Sequence, residues 1–398
     1  MKILFFILAL IYGAFSFNLT EITLPPLGEK DLLSEDTFGF ESEKDIDKYH
    51  DTTLKYSISA VNSDDEEIIA NIFEKISKYT CIKFQKVNYS EGVYKSLDYQ
   101  SPNMDRYSIQ RMENYKILDQ IIHLALKRPL DKSIYYDIGD MLHLIPEHLR
   151  YDRNKYVKIY SENADNYTEM HMEPFPKEPI EVNTSYDYGS GMHYHRTRYS
   201  INEKNTIEPL DKNYLNTIGQ NNGFSFNDYK RMNILNCFNK CDNFVGPCLR
   251  NGYNNPKHCK GCICPPHYTG QYCDEYRVTR YPCGKTLFMA TDSPQYIVRK
   301  GRGDCFYYIS TDYMHAIEIK LESANLYDNG NHCPNKKGLE IRYRKDPSVM
   351  GAMFCGEVKK KKMLSEGNEV SIDFRSDNDK YWFMLSFKRV PANVTDEC

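Results

Sequence analysis

The sequence predicts a leader followed by three modules: an α+β domain, a small disulfide-rich module and an all-β sandwich. Three observations carry this reading. No cysteine lies between Cys81 and Cys237, whereas seven fall from Cys237 to Cys273. Apolar residues recur at helical spacing near the start of the first long segment. After Cys283 the apolar residues alternate instead, as they do in half-buried strands. The formal charge of −4 on 398 residues argues against a nucleic-acid partner held by electrostatics. Hydrophobic content of 41% with 33 tyrosines is ample for packed cores.

The elements follow in order. Met1-Lys2 precedes an apolar run from Ile3 to Phe15, the length of a signal-peptide core and short of a membrane span, so residues 1–16 read as a signal peptide with Ala14 and Ser16 as the small cleavage residues. Residues 17–51 are acidic, hold no cysteine and read as a flexible leader or degenerate propeptide. Tyr56 and Ile58 alternate like a strand. Asp64 to Lys78 then places Ile68, Ile69, Ile72, Phe73 and Ile76 at helical spacing behind an acidic first turn, and Cys81 to Phe84 reads as a second strand. The segments 316-AIEIKLE, 339-LEIRY and 370-VSIDF are the clearest strands of the sandwich. The domains are therefore 52–237, 238–274 and 283–390, with a tail at 391–398. A secreted chain is expected, with no membrane span. Its Asn-x-Ser/Thr sites at Asn18, Asn88, Asn166, Asn183 and Asn393 are candidate glycan positions.

From Cys241 to Cys273 the stretch is too short for a core of its own and needs covalent staples. A zinc ribbon is the other reading of clustered cysteines, and an oxidising compartment favours disulfides. The ending Cys262-Ile263-Cys264-Pro265-Pro266-His267-Tyr268-Thr269-Gly270-Gln271-Tyr272-Cys273 resembles the close of an EGF-like module. That resemblance implies the pairs Cys241 with Cys259, Cys248 with Cys262 and Cys264 with Cys273; spacing alone leaves other connectivities open.

The last segment resembles a CUB domain through Cys283-Gly284, Cys305 before Tyr307-Tyr308, Cys333, Leu339-Glu340-Ile341-Arg342, Phe354-Cys355-Gly356 and Phe374-Arg375-Ser376-Asp377. It implies disulfides Cys283 with Cys305 and Cys333 with Cys355, in a binding module. Tyr343-Arg344 stands where the family often has Asp-Gly, which argues against calcium. Arg302-Gly303-Asp304 spells an integrin-recognition tripeptide but abuts Cys305 at the start of a strand, and is read as coincidence. Lys359 to Lys362 is read as a solvated charged loop.

In the large module, Glu147-His148-Leu149-Arg150-Tyr151-Asp152-Arg153 with Tyr156-Val157 resembles the segment that follows the zinc motif of astacin metallopeptidases, which are metzincins. Tyr186 to Tyr194 resembles their Met-turn, with Met192 as its methionine and Tyr194 as the tyrosine that stabilises the oxyanion. Ile218-Gly219-Gln220, Asp228 and Met232-Asn233 resemble the closing helix, and Cys81 with Cys237 matches the outer disulfide. The family's second disulfide has no cysteines here, which leaves the strands of 91–129 unassigned. The leader has Phe38-Gly39-Phe40-Glu41 but not the family's F-x-G-D.

The resemblance implies a zinc endopeptidase built on H-E-x-x-H and a third histidine beyond a glycine turn. The register set by Arg150 puts Tyr136 at the first ligand, Asp137 at the catalytic base, Asp140 at the second ligand, His143 at the turn glycine and Pro146 at the third ligand. Proline has no side-chain donor atom, a phenol is a poor zinc ligand, and Asp137 is one methylene shorter than glutamate. Nowhere do two of the 11 histidines stand four apart. The expectation is a pseudopeptidase: no catalytic residue, no metal and no cofactor, binding extracellular protein or peptide through the former cleft and the CUB domain. Two alternatives stand beside it. One is an active or weakly active zinc endopeptidase with a rearranged site, for which Asp140 and His143 could share a helix face with Asp137 one turn earlier, zinc then being its cofactor. The other is an adhesive protein binding through the EGF-like and CUB modules only. His193 and His195, placed by a strand on the same face, are read as structural. Cys398 remains after six pairs, so a disulfide-linked homodimer is expected.

Overall fold

The computed structural model describes residues 52–59, 63–88, 94–98, 121–125, 134–165, 172–175, 184–220, 223–237, 241, 246–279, 281–328, 333 and 337–392. All of them belong to one compact unit, Asp51–Cys398. The signal peptide and leader, Asn18, Asn166, Asn183, Asn393, Cys398 and most of 91–129 lie outside the described residues. Asn88 lies among them and is exposed. No described helix is long and apolar enough to cross a membrane.

The first module opens with β1 (Thr53–Ser59), helix α1 (Ser63–Tyr79), β2 (Lys83–Lys86), β3 (Tyr94–Asp98) and β4 (Ile121–Ala125). The strands form a parallel sheet in the order β2-β1-β4-β3. Helix α1 covers it with Ile69, Ile72, Phe73 and Ile76, and the Phe73 ring stacks on Phe84 at 4.0 Å between centroids. Ile68, expected in the same stripe, is instead 42% exposed, because the buried arc is only as wide as the sheet it meets. The second strand begins two residues later than the sequence suggested; Cys81 and Ile82 are buried ahead of it.

Helix α2 (Ile134–Met141) leads into a run of turns, the short strands β5 (Val157–Ile159) and β6 (Ile207–Pro209), and the closing helix α3 (Phe226–Asn236). Ser225 caps α3 and Asp228 returns the bond to the Ser225 amide, a full capping box. The Cys81–Cys237 disulfide ties the end of α3 to the segment after α1.

The small module carries two minimal hairpins, β7 (Tyr253–Asn254) with β8 (Cys262–Ile263) and β9 (Tyr268–Thr269) with β10 (Glu275–Tyr276). Its disulfides join Cys241 to Cys259, Cys248 to Cys262 and Cys264 to Cys273. The sandwich follows with β11 (Leu287–Met289), β12 (Gln295–Lys300), β13 (Gly303–Ser310), β14 (His315–Asn325), β15 (Gly338–Arg342), β16 (Ala352–Phe354), β17 (Glu357–Leu364), β18 (Glu369–Ser376) and β19 (Trp382–Pro391). One sheet runs β11-β13-β18-β15-β16, the other β12-β19-β14-β17. The disulfides Cys283–Cys305 and Cys333–Cys355 staple it. Lys359 to Lys362 corrects the sequence reading: these residues form not a loop but the edge strand β17, where consecutive exposed lysines discourage pairing with another chain.

The modules are not beads on a string. Tyr268 of the small module packs with Phe306 and Tyr308 on the outer face of the five-stranded sheet. Buried tyrosines of the first domain, Tyr186, Tyr188 and Tyr214, belong to the same hydrophobic cluster as the sandwich interior, linked through Tyr343. Tyr343 donates its hydroxyl to Asp211 at 2.5 Å, Met350 N–H donates to Asp187 at 3.0 Å, and Gln220 donates to the Cys333 carbonyl at 2.7 Å.

Candidate functional site

The site is assembled from α2, the turns after it and the loop from Tyr186 to Tyr194. Helix α2 presents Tyr136, Asp137 and Asp140 and stops at Met141. Its end is a Schellman motif: Leu144 N–H donates to the Gly139 carbonyl at 2.9 Å and His143 N–H to the Asp140 carbonyl at 3.0 Å. Such a turn needs one left-handed residue, and His143 supplies it at φ +63°. A histidine thus occupies a backbone conformation that suits glycine. The idea that Asp140 and His143 share a helix face is corrected by this geometry, since His143 lies beyond the helix in the turn.

Pro146 opens the 3-10 turn Glu147–Leu149. Glu147 is almost fully buried and holds four groups at once. Its Oε1 accepts from the Asp187 amide at 2.7 Å and Arg150 at 3.2 Å, its Oε2 accepts from Arg231 at 2.7 Å, and its own N–H donates to the Met192 carbonyl at 3.1 Å. These bonds lock the turn after α2 onto the Met192 loop and onto α3. The loop is held from below as well: Asp228 accepts from Ser190 Oγ at 2.6 Å and from Gly191 N–H at 2.8 Å. Met192 lies so close under Gly139 that no Cβ fits there.

The aromatic groups form a stack. The Tyr136 ring lies 5.1 Å from Tyr194, which stacks on His148 at 3.9 Å, and Arg198 lies over the Tyr194 ring at 5.6 Å. His193 is buried; its Nδ1 is 2.8 Å from the Tyr194 carbonyl, so that nitrogen carries the proton and Nε2 accepts from the Tyr186 hydroxyl at 2.8 Å. Burial pushes the His148 imidazole well below its usual range, with His193 and Arg153 adding to the effect; burial lowers His193 too. Burial, then Asp228 and Glu147, pushes the Asp187 carboxyl up to about 7.

His195 corrects a further expectation. The stretch from Gly191 to Ser200 is a succession of turns, with His193 N–H bonded to Ser190 and Arg198 N–H to His195, and no strand aligns the two histidines. His193 faces Tyr186, while His195 Nδ1 lies 2.9 Å from Thr197. In the sandwich, Arg302 pairs with Asp379 and Asp304 with Arg375, so the Arg302-Gly303-Asp304 tripeptide is engaged in ion pairs at the start of β13. Sequence reasoning missed Arg231 as the partner of Glu147 and His148 as the base of the aromatic stack. The periodic pattern of a short helix gives no sign of either contact.

This geometry, with a parallel sheet, a helix that ends in a left-handed turn and a methionine loop beneath it, defines a peptidase-type fold joined to a β-sandwich. Residues 41–237 match the peptidase family described as Astacin, and residues 283–386 match the CUB domain. The chain belongs to the astacin family and carries a CUB domain after its astacin domain. It is 33% identical over 66% of its length to zinc metalloproteinase nas-34 of Caenorhabditis elegans, covering 43% of that relative. It is 30% identical over 74% of its length to zinc metalloproteinase nas-23 of the same nematode, covering 56% of it. The chain therefore spans about half the length of the curated relatives it matches. Among solved structures, High choriolytic enzyme 1, a hatching enzyme zinc-protease from Oryzias latipes, aligns over 46% of this chain and 89% of its own at 23% identity and a TM-score of 0.37. The CUB1-EGF-CUB2 domain of human MASP-1/3 aligns over 36% of this chain and 55% of its own at 21% identity and a TM-score of 0.24.

The relatives are zinc enzymes by name, so the residues around α2 must be tested against zinc. They do not fit. Pro146 offers no donor atom, the Tyr136 ring is engaged on Tyr194, and His143 sits beyond the helix in the turn. Among the described residues, Asp137, Asp140 and His143 do not bring three ligand atoms together; the trio that does lies elsewhere.

Proposed function

We propose that this protein is a secreted, catalytically silent member of its family that binds protein or peptide through the former cleft and the CUB surface. One observation supports this most: the Tyr136–Tyr194–His148 stack, in which an aromatic ring stands on α2 at the first ligand position and packs against the tyrosine that would otherwise face the reacting carbonyl. The backbone around the former site is held by the Schellman turn, the bonds to the Met192 loop and the Glu147 network, which supports a preserved frame for holding an extended chain. The signal-peptide-like start and the disulfides support secretion.

The test is cleavage of a denatured protein by the full chain with zinc supplied. Wild type, Asp137→Ala and Asp140→Ala are expected to be equally inactive. Binding of denatured gelatin, followed by surface plasmon resonance, is expected to weaken in Tyr136→Ala. Cleavage by the wild type that Asp137→Ala abolishes would overturn the proposal in favour of a rearranged zinc endopeptidase. Binding unaffected by Tyr136→Ala but lost on changing CUB surface residues would favour the adhesive reading. Deleting the CUB domain is unsuitable, because Tyr343 belongs to the hydrophobic cluster that holds Tyr186, Tyr188 and Tyr214 of the first domain, and Met350 N–H donates to the buried Asp187.

A further inference from the structure

Outside the cleft, one buried cluster of ionisable groups has no part in the proposed binding. Glu340 on β15 and Asp373 on β18 are directly opposite each other across an antiparallel pair, on the outer face of the five-stranded sheet. Two carboxylates so placed repel one another. Both are nevertheless shielded from solvent, with side chains only 13% and 4% exposed. His267 of the small module closes over them and is fully buried.

Each of the three groups is anchored by a neighbouring side chain or amide. His267 Nδ1 lies 2.7 Å from Ser371 Oγ. Glu340 Oε1 accepts from Arg342 at 2.7 Å and from Gly351 N–H at 2.8 Å, and Asp373 Oδ2 pairs with Arg375 at 2.5 Å. What remains is His267 Nε2, Glu340 Oε2 and Asp373 Oδ1. Nε2 is 3.8 Å from Glu340 Oε2 and 4.0 Å from Asp373 Oδ2, the oxygen that Arg375 also holds, too far for a hydrogen bond. Neither His267 Nε2 nor Asp373 Oδ1 has a hydrogen-bond partner among the described residues, although both are buried. Such orphaned atoms are rare in proteins and call for an explanation.

We propose that His267, Glu340 and Asp373 form a divalent-metal site, suited to zinc, that clamps the small module onto the CUB sheet. Their ligand atoms all lie within 4.8 Å of one another. Zinc takes nitrogen and oxygen ligands at about 2.0–2.2 Å, so small side-chain adjustments complete three ligands. The outer contacts are those that metal sites use: the second imidazole nitrogen is hydrogen-bonded and both carboxylates are held by donors. Arg342 and Arg375 hold the outer sides of Glu340 and Asp373, and Arg375 also pairs with Asp304, so both carboxylates are fixed in place. Glu340 and Asp373 also line a cavity of about 630 Å³ between the modules, which supplies a path for the ion and room for water as a further ligand. This site does not depend on whether the cleft is catalytic.

The experiment uses the full secreted chain, stripped with a chelator, dialysed and titrated with zinc by calorimetry, with cobalt absorption as a second readout. One zinc per chain is expected. His267→Gln and Asp373→Asn are each expected to weaken it more than tenfold, Ser371→Ala about tenfold through the orienting hydrogen bond, and Asp140→Ala not at all. Zinc should raise the melting temperature of the wild type and of Asp140→Ala but not of His267→Gln. If His267→Gln fails to fold, Asp373→Asn and Ser371→Ala decide. Absence of zinc binding at micromolar concentrations overturns the proposal, as does binding that these variants leave unchanged.

Discussion

Oε2 of Glu147 accepts a 2.7 Å charge-assisted hydrogen bond from Nη1 of Arg231, joining the turn after α2 to the closing helix α3 across 84 positions of sequence. Both side chains are at most 3% exposed. Arg150 and the Asp187 amide share the other oxygen, so this carboxylate organises the Met192 loop, the turn and α3 together.

Breaking that pair leaves an uncompensated buried charge. Arg231→Met is expected to destabilise the protein by about 3–5 kcal/mol, the range for removing one partner of a buried ion pair. A denaturant titration followed by fluorescence measures this. An effect below about 1 kcal/mol would mean that Arg150 alone satisfies Glu147.

His143 offers a test of backbone strain. At φ +63° an L side chain costs about 1–2 kcal/mol relative to a residue without a Cβ, so His143→Gly is expected to be more stable than His143→Ala by about 1 kcal/mol. Comparing the two variants with each other cancels the contacts of the imidazole. Thermal melting of both decides it; equal stability would mean that the turn relaxes.

Asp187 makes stability depend on pH. Its folded value, near 7, lies above the usual carboxylate range, chiefly through burial. The folded protein therefore binds a proton that the unfolded chain releases. Stability from this group is fully present below about pH 4 and is lost as pH rises through about 7. Asp187→Asn lacks that slope, so the stability difference between wild type and variant should shift in the variant's favour from about pH 5 to about pH 8. Denaturant midpoints at the two pH values test the sign.

Cys398 is the thirteenth cysteine, and the other twelve form the six disulfides described. A fraction of the protein is expected to run as a covalent dimer on non-reducing electrophoresis. Reduction or Cys398→Ser should return it to monomer, and a monomer band alone from the wild type would sink the idea.

Module order, the α+β and all-β character of the two large modules, and the residue types at the cleft were all legible from the amino acids alone. These are local properties: helical spacing in α1, alternation in β14 and β18, cysteine density in the small module and a proline at position 146 can each be read without knowing what they touch. Packing settled the rest. It revealed that His143 keeps the left-handed turn, that Lys359 to Lys362 form an edge strand, and that no strand aligns His193 with His195. It also paired Glu147 with Arg231 and set His267 over Glu340 and Asp373. Such contacts join residues far apart along the chain. Hydrophobic periodicity records which face of an element is buried, but not which neighbour buries it.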